Sequence, residues 1–160
     1  MSLQAPDEEK RDARRRDFGK FVPLAWAFLI FFTSCFVIFT PEFFKIVDHM
    51  IPSRAGQTRF EIFWYAVGIF IIKGWHATEY AILDSLAFRY LQSRMPIRRA
   101  LLISLLICIA FAASDEWHQT FVPGRGGNVR DVMIDTAGAA IATAVIAARL
   151  KRARNAGDVC

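Results

Sequence analysis

Residues 114–131 read Ser-Asp-Glu-Trp-His-Gln-Thr-Phe-Val-Pro-Gly-Arg-Gly-Gly-Asn-Val-Arg-Asp, a polar island between two apolar runs at 101–113 and 132–148. In a soluble protein this would be an ordinary surface loop. Between two expected membrane spans, its acids, histidine and arginines are costly to place and point to function. The island therefore decides the fold: two long apolar helices joined by a polar turn.

Working outward, the rest of the chain follows the same pattern. The 160 residues suit one small helical bundle. Of these, 54% are hydrophobic, and they fall in blocks of roughly span length while 22% of the chain stays charged. We expect an all-α fold, a polytopic transmembrane bundle with about four spans and a short interfacial helix. A charged cytoplasmic tail (1–20), a transmembrane domain (21–148) and a basic tail (149–160) make up the chain. Residues 21–39 read as an uncleaved first span, because Thr40-Pro41-Glu42 follows in place of a small-residue cleavage site. Pro41, Pro52 and Gly56 keep 41–59 out of the hydrocarbon, and 43–50 suit an amphipathic interfacial helix.

Residues 60–92 allow two registers. One helix would be about 48 Å long, more than the ~30 Å a hydrocarbon core needs. We expect instead a separate short helix over 60–72 and a span over about 71–91, which places Lys73 and His76 at a membrane boundary. The third span runs over about 99–120. The fourth starts at Asn128 as N-cap, with Asp131 at its third position. It carries Gly138 and Ala142 at a spacing that permits close helix contact.

Lys and Arg number fourteen in the N-terminal tail, residues 84–99 and the C-terminal tail together, against five in the two alternate loops. Both termini are therefore expected in the cytoplasm, and the polar island outside. The net charge of +5 follows from these loops, and no nucleic-acid motif is present, so no nucleic-acid partner is expected. Three scattered cysteines suggest no disulfide.

Two polar constellations carry the candidate chemistry. Lys73, His76, Glu79, Tyr80, Leu83 and Asp84 fall within roughly 140° of one helix face; they form either a packing network or part of a site. Asp115, His118 and Gln119 share a face of the third span, with Glu116 about 100° away. Pro123-Gly124 ends that helix. Arg125 and Arg130 then stand before a helix N-terminus, where they either clamp an anion or pair with Asp115, Glu116 or Asp131. Asp131 suits the first turn of the fourth span, and Asp135, a turn deeper, calls for a partner inside the bundle. Two histidines with two acids would suit zinc, but the neighbouring lysine and arginines repel a cation, so we expect no metal and no cofactor.

The pattern Lys73-x-x-His76-x-x-Glu79-Tyr80, then Asp115-Glu116-x-His118-Gln119-x-Phe121-Val122-Pro123-Gly124-Arg125 and Asp131-x-x-x-Asp135-x-x-Gly138, resembles the VanZ-like family over roughly residues 20–148. The resemblance implies a small multi-span protein of the bacterial inner membrane; the family's namesake is linked to teicoplanin resistance. Two functions are then open. One is binding of an anionic membrane lipid or lipid-linked cell-envelope precursor through Lys73, His76, Tyr80, Asp115, Glu116, Gln119, Arg125, Arg130, Asp131 and Asp135, for which homo-oligomers are compatible. The other is a membrane-embedded enzyme acting on a lipid-linked or cell-wall substrate, in which His76 or His118 acts as acid or base beside Glu116 or Asp115 and Arg125 clamps a phosphate or carboxylate.

Overall fold

The computed structural model describes residues 19, 21–35 and 41–157. The charged N-terminal tail and the expected end of the first span at 36–39 lie outside the described residues, apart from residue 19. Among the described residues five helices follow one another: α1 (Phe21–Ser34), α2 (Pro41–Met50), α3 (Arg54–Leu91), α4 (Ile97–Gln119) and α5 (Val129–Gly157). Among the described residues there is no strand.

Residues 60–72 are not a separate helix. They belong to α3, which runs unbroken for 38 residues. The correction has a local cause. No proline interrupts 54–91, and a lysine on a helix surface carries no penalty that would end the helix. Ser53 opens α3 by accepting the Gly56 N–H at 3.1 Å. At the other end Arg94 and Met95 donate backbone N–H bonds to Leu91 O, and this short turn makes α4 an antiparallel neighbour of α3.

α3 packs most broadly on α5, then α5 on α4 and α3 on α4, with α1 lying against α3 and the upper half of α4. "Upper" here denotes the end bearing the α4–α5 turn. The buried face of α4 repeats every four residues and is small: Ala100, Ser104, Cys108 and Ala112, before Glu116. That stripe lets neighbouring helices approach closely. An upper cluster joins Ile30, Tyr80, Leu83, Cys108, Ala112 and Ala139; a lower one joins Phe88, Leu91 and Ala100.

The distribution of polarity is inverted relative to a water-soluble domain. Glu79, Asp84, Asp115, Glu116, Gln119 and Asp135 are buried, whereas Phe28, Leu102, Met133 and Ile141 are more than half exposed. Ile97–Gln119 and Val129–Ala156 are long and apolar enough to cross a membrane, and only 22% of the apolar window of each is buried. The core helix of a soluble protein would bury most of such a window, so this arrangement fits a bundle whose solvent is lipid.

Candidate functional site

The upper end of the bundle is built around the α4–α5 turn. Arg125 N donates to Val122 O at 3.0 Å, with Pro123 and Gly124 at the two central positions and Gly124 at φ +81°. This is a type II turn, in which Pro supplies the first φ and Gly the positive second one. It reverses the chain and delivers Arg125 to the C-terminal end of α1, where Nη1 donates to the carbonyl oxygen of Ser34. A guanidinium there satisfies a helix-end carbonyl and lies at the negative end of the helix dipole.

Asn128 caps α5, its Oδ1 accepting the Arg130 N–H at 3.0 Å. In the usual capping box the third helical residue reaches back to the N-cap N–H. Here Asp131, which occupies that position, pairs with Lys73 of α3 instead. Glu116 Oε2 of α4 takes the Asn128 N–H at 2.8 Å. The cap is thus completed from a neighbouring helix. Glu116→Gln keeps an acceptor oxygen and is expected to cost under ~1 kcal/mol, whereas Glu116→Ala leaves that N–H unpaired and should cost about 1–3 kcal/mol. Unfolding in detergent would measure both, and equal losses would show that the bond carries little.

Asp115 joins α1 to α4. Its Oδ2 accepts from Ser34 Oγ at 2.7 Å and from Gln119 Nε2 at 3.0 Å. Glu79 is approached from α1 as well: Thr33 Oγ1 donates to its Oε1 at 3.1 Å, and Trp26 Nε1 donates to its backbone oxygen at 2.9 Å. Tyr80 is fully buried and rests on Phe111 with ring centroids 6.0 Å apart. Asp135, also buried, faces Glu116, Asp115, Asp131 and Lys73.

The expected site residues therefore meet at one end of the bundle, with two exceptions. Arg130 is exposed on the first turn of α5. His118 leaves the cluster for α1, its ring 4.5 Å from Phe31 and its Nε2 3.9 Å from Cys35 Sγ. His76 lies nearest an acid of its own helix, with Nδ1 3.6 Å from Glu79 Oε2, and faces Lys73 of the same helix and Arg125 and Asp131 from the neighbouring segments. Within this cluster four buried polar atoms have no hydrogen-bond partner: His76 Nδ1, Glu79 Oε2, Tyr80 Oη and Asp115 Oδ1. Because unpaired buried polar atoms are uncommon and costly, four in one region mark a site.

Sequence reasoning missed Thr33 and Ser34, whose hydroxyls close the site from α1. The signal was a pair of hydroxyl residues at the end of an otherwise apolar run. Asp84, on the polar face expected of this helix, lies lower in the bundle and accepts from Thr143 Oγ1 at 2.9 Å.

Among curated proteins and among solved structures nothing matches the chain. Comparison with protein families matches residues 20–151 to VanZ/LLP1. That stretch takes in α1 to α4, the capped turn with Glu116 and Arg125, and most of α5, and the chain belongs to the VanZ/LLP1 family.

Proposed function

We propose that the chain crosses the bacterial inner membrane four times, through α1, α3, α4 and α5, with both termini cytoplasmic. Its upper end binds the head of an anionic lipid or lipid-linked cell-envelope precursor at the outer leaflet. The observation that carries this reading is the meeting of Lys73, Arg125 and the N-terminus of α5 beside four unpartnered buried polar atoms. A guanidinium fork, an ammonium and a helix N-terminus together suit a phosphate or carboxylate. Acids outnumber cations in the cluster, so the hydroxyl or amino groups of a precursor head would meet Glu79 and Asp115 while its anion stays with Lys73 and Arg125.

Arg125→Lys tests it, because the charge stays and the planar fork is lost. Native mass spectrometry of protein purified from vesicles containing phosphatidylglycerol should show retained lipid on the wild type. On the variant, retention should be cut about tenfold, equivalent to some 1.4 kcal/mol, with the melting temperature nearly unchanged. Unchanged retention with a lowered melting temperature would instead make Arg125 only a fastener for α1.

A second reading is favoured by the His76–Glu79 approach, since a carboxylate beside an imidazole is the arrangement acid–base chemistry uses. Under it, the same spectra would show the lipid or precursor converted to a product of different mass.

A further inference from the structure

α3 is longer than the bundle it serves. Lys73 pairs with Asp131, and a Cβ on Gly138 would meet Ala77, so α5 begins level with about residue 71 of α3. Residues 54–69 continue beyond the start of α5 for about 24 Å at 1.5 Å per residue.

This projection is not built for water. Residues 62–72 carry no charge. Ile62, Phe63, Tyr65, Ile69, Phe70 and Ile71 are each 44–74% exposed, and at 100° per residue they cover roughly 240° of the helix surface. Burying such side chains away from water is strongly favourable. Leaving six of them half exposed to water would forfeit a large part of the stability of a small domain. One protein partner covers one face of a helix; an apolar surface on most sides calls for a surrounding solvent, which is lipid.

The level of the membrane surface is marked as well. Phe43 and Phe44 of α2 pack against Phe60, Trp64 and Tyr65 of α3, with ring centroids 5.4 to 6.4 Å apart. Aromatic rings of this kind collect at the lipid headgroups. Arg54, Arg59 and Glu61 lie at or above that level. The rim of the α4–α5 turn is apolar too, for Trp117, Phe121, Val129 and Met133 are all more than 60% exposed.

We propose that α2 and residues 60–72 of α3 lie in the outer leaflet, so that the Lys73–Asp131 site sits about 10 Å or more beneath the membrane surface and receives its ligand through the lipid. The depth follows from the nine-residue step from Trp64 to Lys73, about 13.5 Å along the helix and about 10 Å at a tilt of 40°. The inference rests on the reading of the bundle as membrane-spanning, and it narrows the ligand to an amphiphile dissolved in the bilayer. A water-borne anion would have to cross that lipid.

Nitroxide labels on cysteines placed singly at Arg59, Phe70, Leu102 and Ile141, with the full chain in phosphatidylglycerol vesicles, test it by their exposure to oxygen against a water-soluble nickel chelate. Phe70 should favour oxygen as strongly as Leu102 and Ile141 do, and Arg59 should favour the chelate. If Leu102 and Ile141 favour oxygen but Phe70 favours the chelate, the upper part of α3 stands in water and the inference falls alone. If all four favour the chelate, the membrane-spanning reading falls with it. A label at Phe70 screened from both reagents would mean a second protein copy in place of lipid, which also overturns the proposal. Inorganic phosphate in excess should leave bound phosphatidylglycerol in place; its displacement would overturn entry through the lipid.

Discussion

Gly138→Ala is expected to unfasten α5 from α3 and to be among the most damaging single-methyl changes in the chain. A Cβ at this position would land on the backbone carbonyl oxygen of Ala77 and 2.8 Å from its Cα. Overpacking costs about 1–3 kcal/mol where a side chain can move aside. Here the obstacle is helix backbone, so the two helices must part. Parting them loosens the Lys73–Asp131 pair above the crossing and the Thr143–Asp84 bond below it. We expect ~3 kcal/mol or more, read as a fall of ~10 °C in the melting temperature in detergent. Gly126→Ala is the control: nothing lies within 4 Å of a Cβ there, and it should melt with the wild type. Equal melting of both variants would show that the α3–α5 crossing has slack.

Asp115→Leu is expected to detach α1. The substitution removes the acceptor of both Ser34 and Gln119, and each stranded buried donor costs about 1–3 kcal/mol. A counter-effect exists, because replacing a buried acid by an apolar group also removes its desolvation cost. Asp115→Asn separates the two. It retains one acceptor oxygen for Ser34 and gives up the carboxylate, so it should stay near the wild type if the bonds dominate. A double-mutant cycle with Ser34→Ala should show a coupling of about 0.5–3 kcal/mol. Proteolysis within residues 21–34 would report the detachment directly. A Leu variant as resistant as the wild type would mean that α1 is held by its apolar side chains alone.

Much of this architecture was legible in the residues. The Asn128 cap, the Pro123-Gly124 reversal and the four-residue spacing to Ala142 that made Gly138 a contact point are set by local backbone chemistry, which sequence shows directly. So is the polar face of Lys73, His76, Glu79 and Tyr80. The continuity of α3 was misread because a limit on membrane thickness was applied to a helix, although the bilayer constrains only the part of a helix that lies in it. Partners across helices were the least legible. Whether Asp131 answers Lys73 or its own N-cap depends on helix packing, and so does whether His76 meets Glu79 or Glu116. The acids announced that partners were needed without naming them.

The bonds of the site also differ in how far apart their ends lie along the chain. Glu116 and Asn128 are 12 residues apart, and Arg125 closes its turn within four. The bonds that hold α1 span 46 to 91 residues: Thr33 to Glu79, Ser34 to Asp115, and Ser34 to Arg125. A ribosome makes α1 before the other described helices, and its last turn must wait for Glu79, then Asp115, then Arg125 before its hydroxyls and its end carbonyl are matched. The α4–α5 hairpin needs no such wait, since its ends meet at little entropic cost as soon as it is made. Of the described helices α1 therefore waits across the longest stretch of chain for a partner, and truncation before residue 125 should leave it unlatched even though every residue of α1 is present.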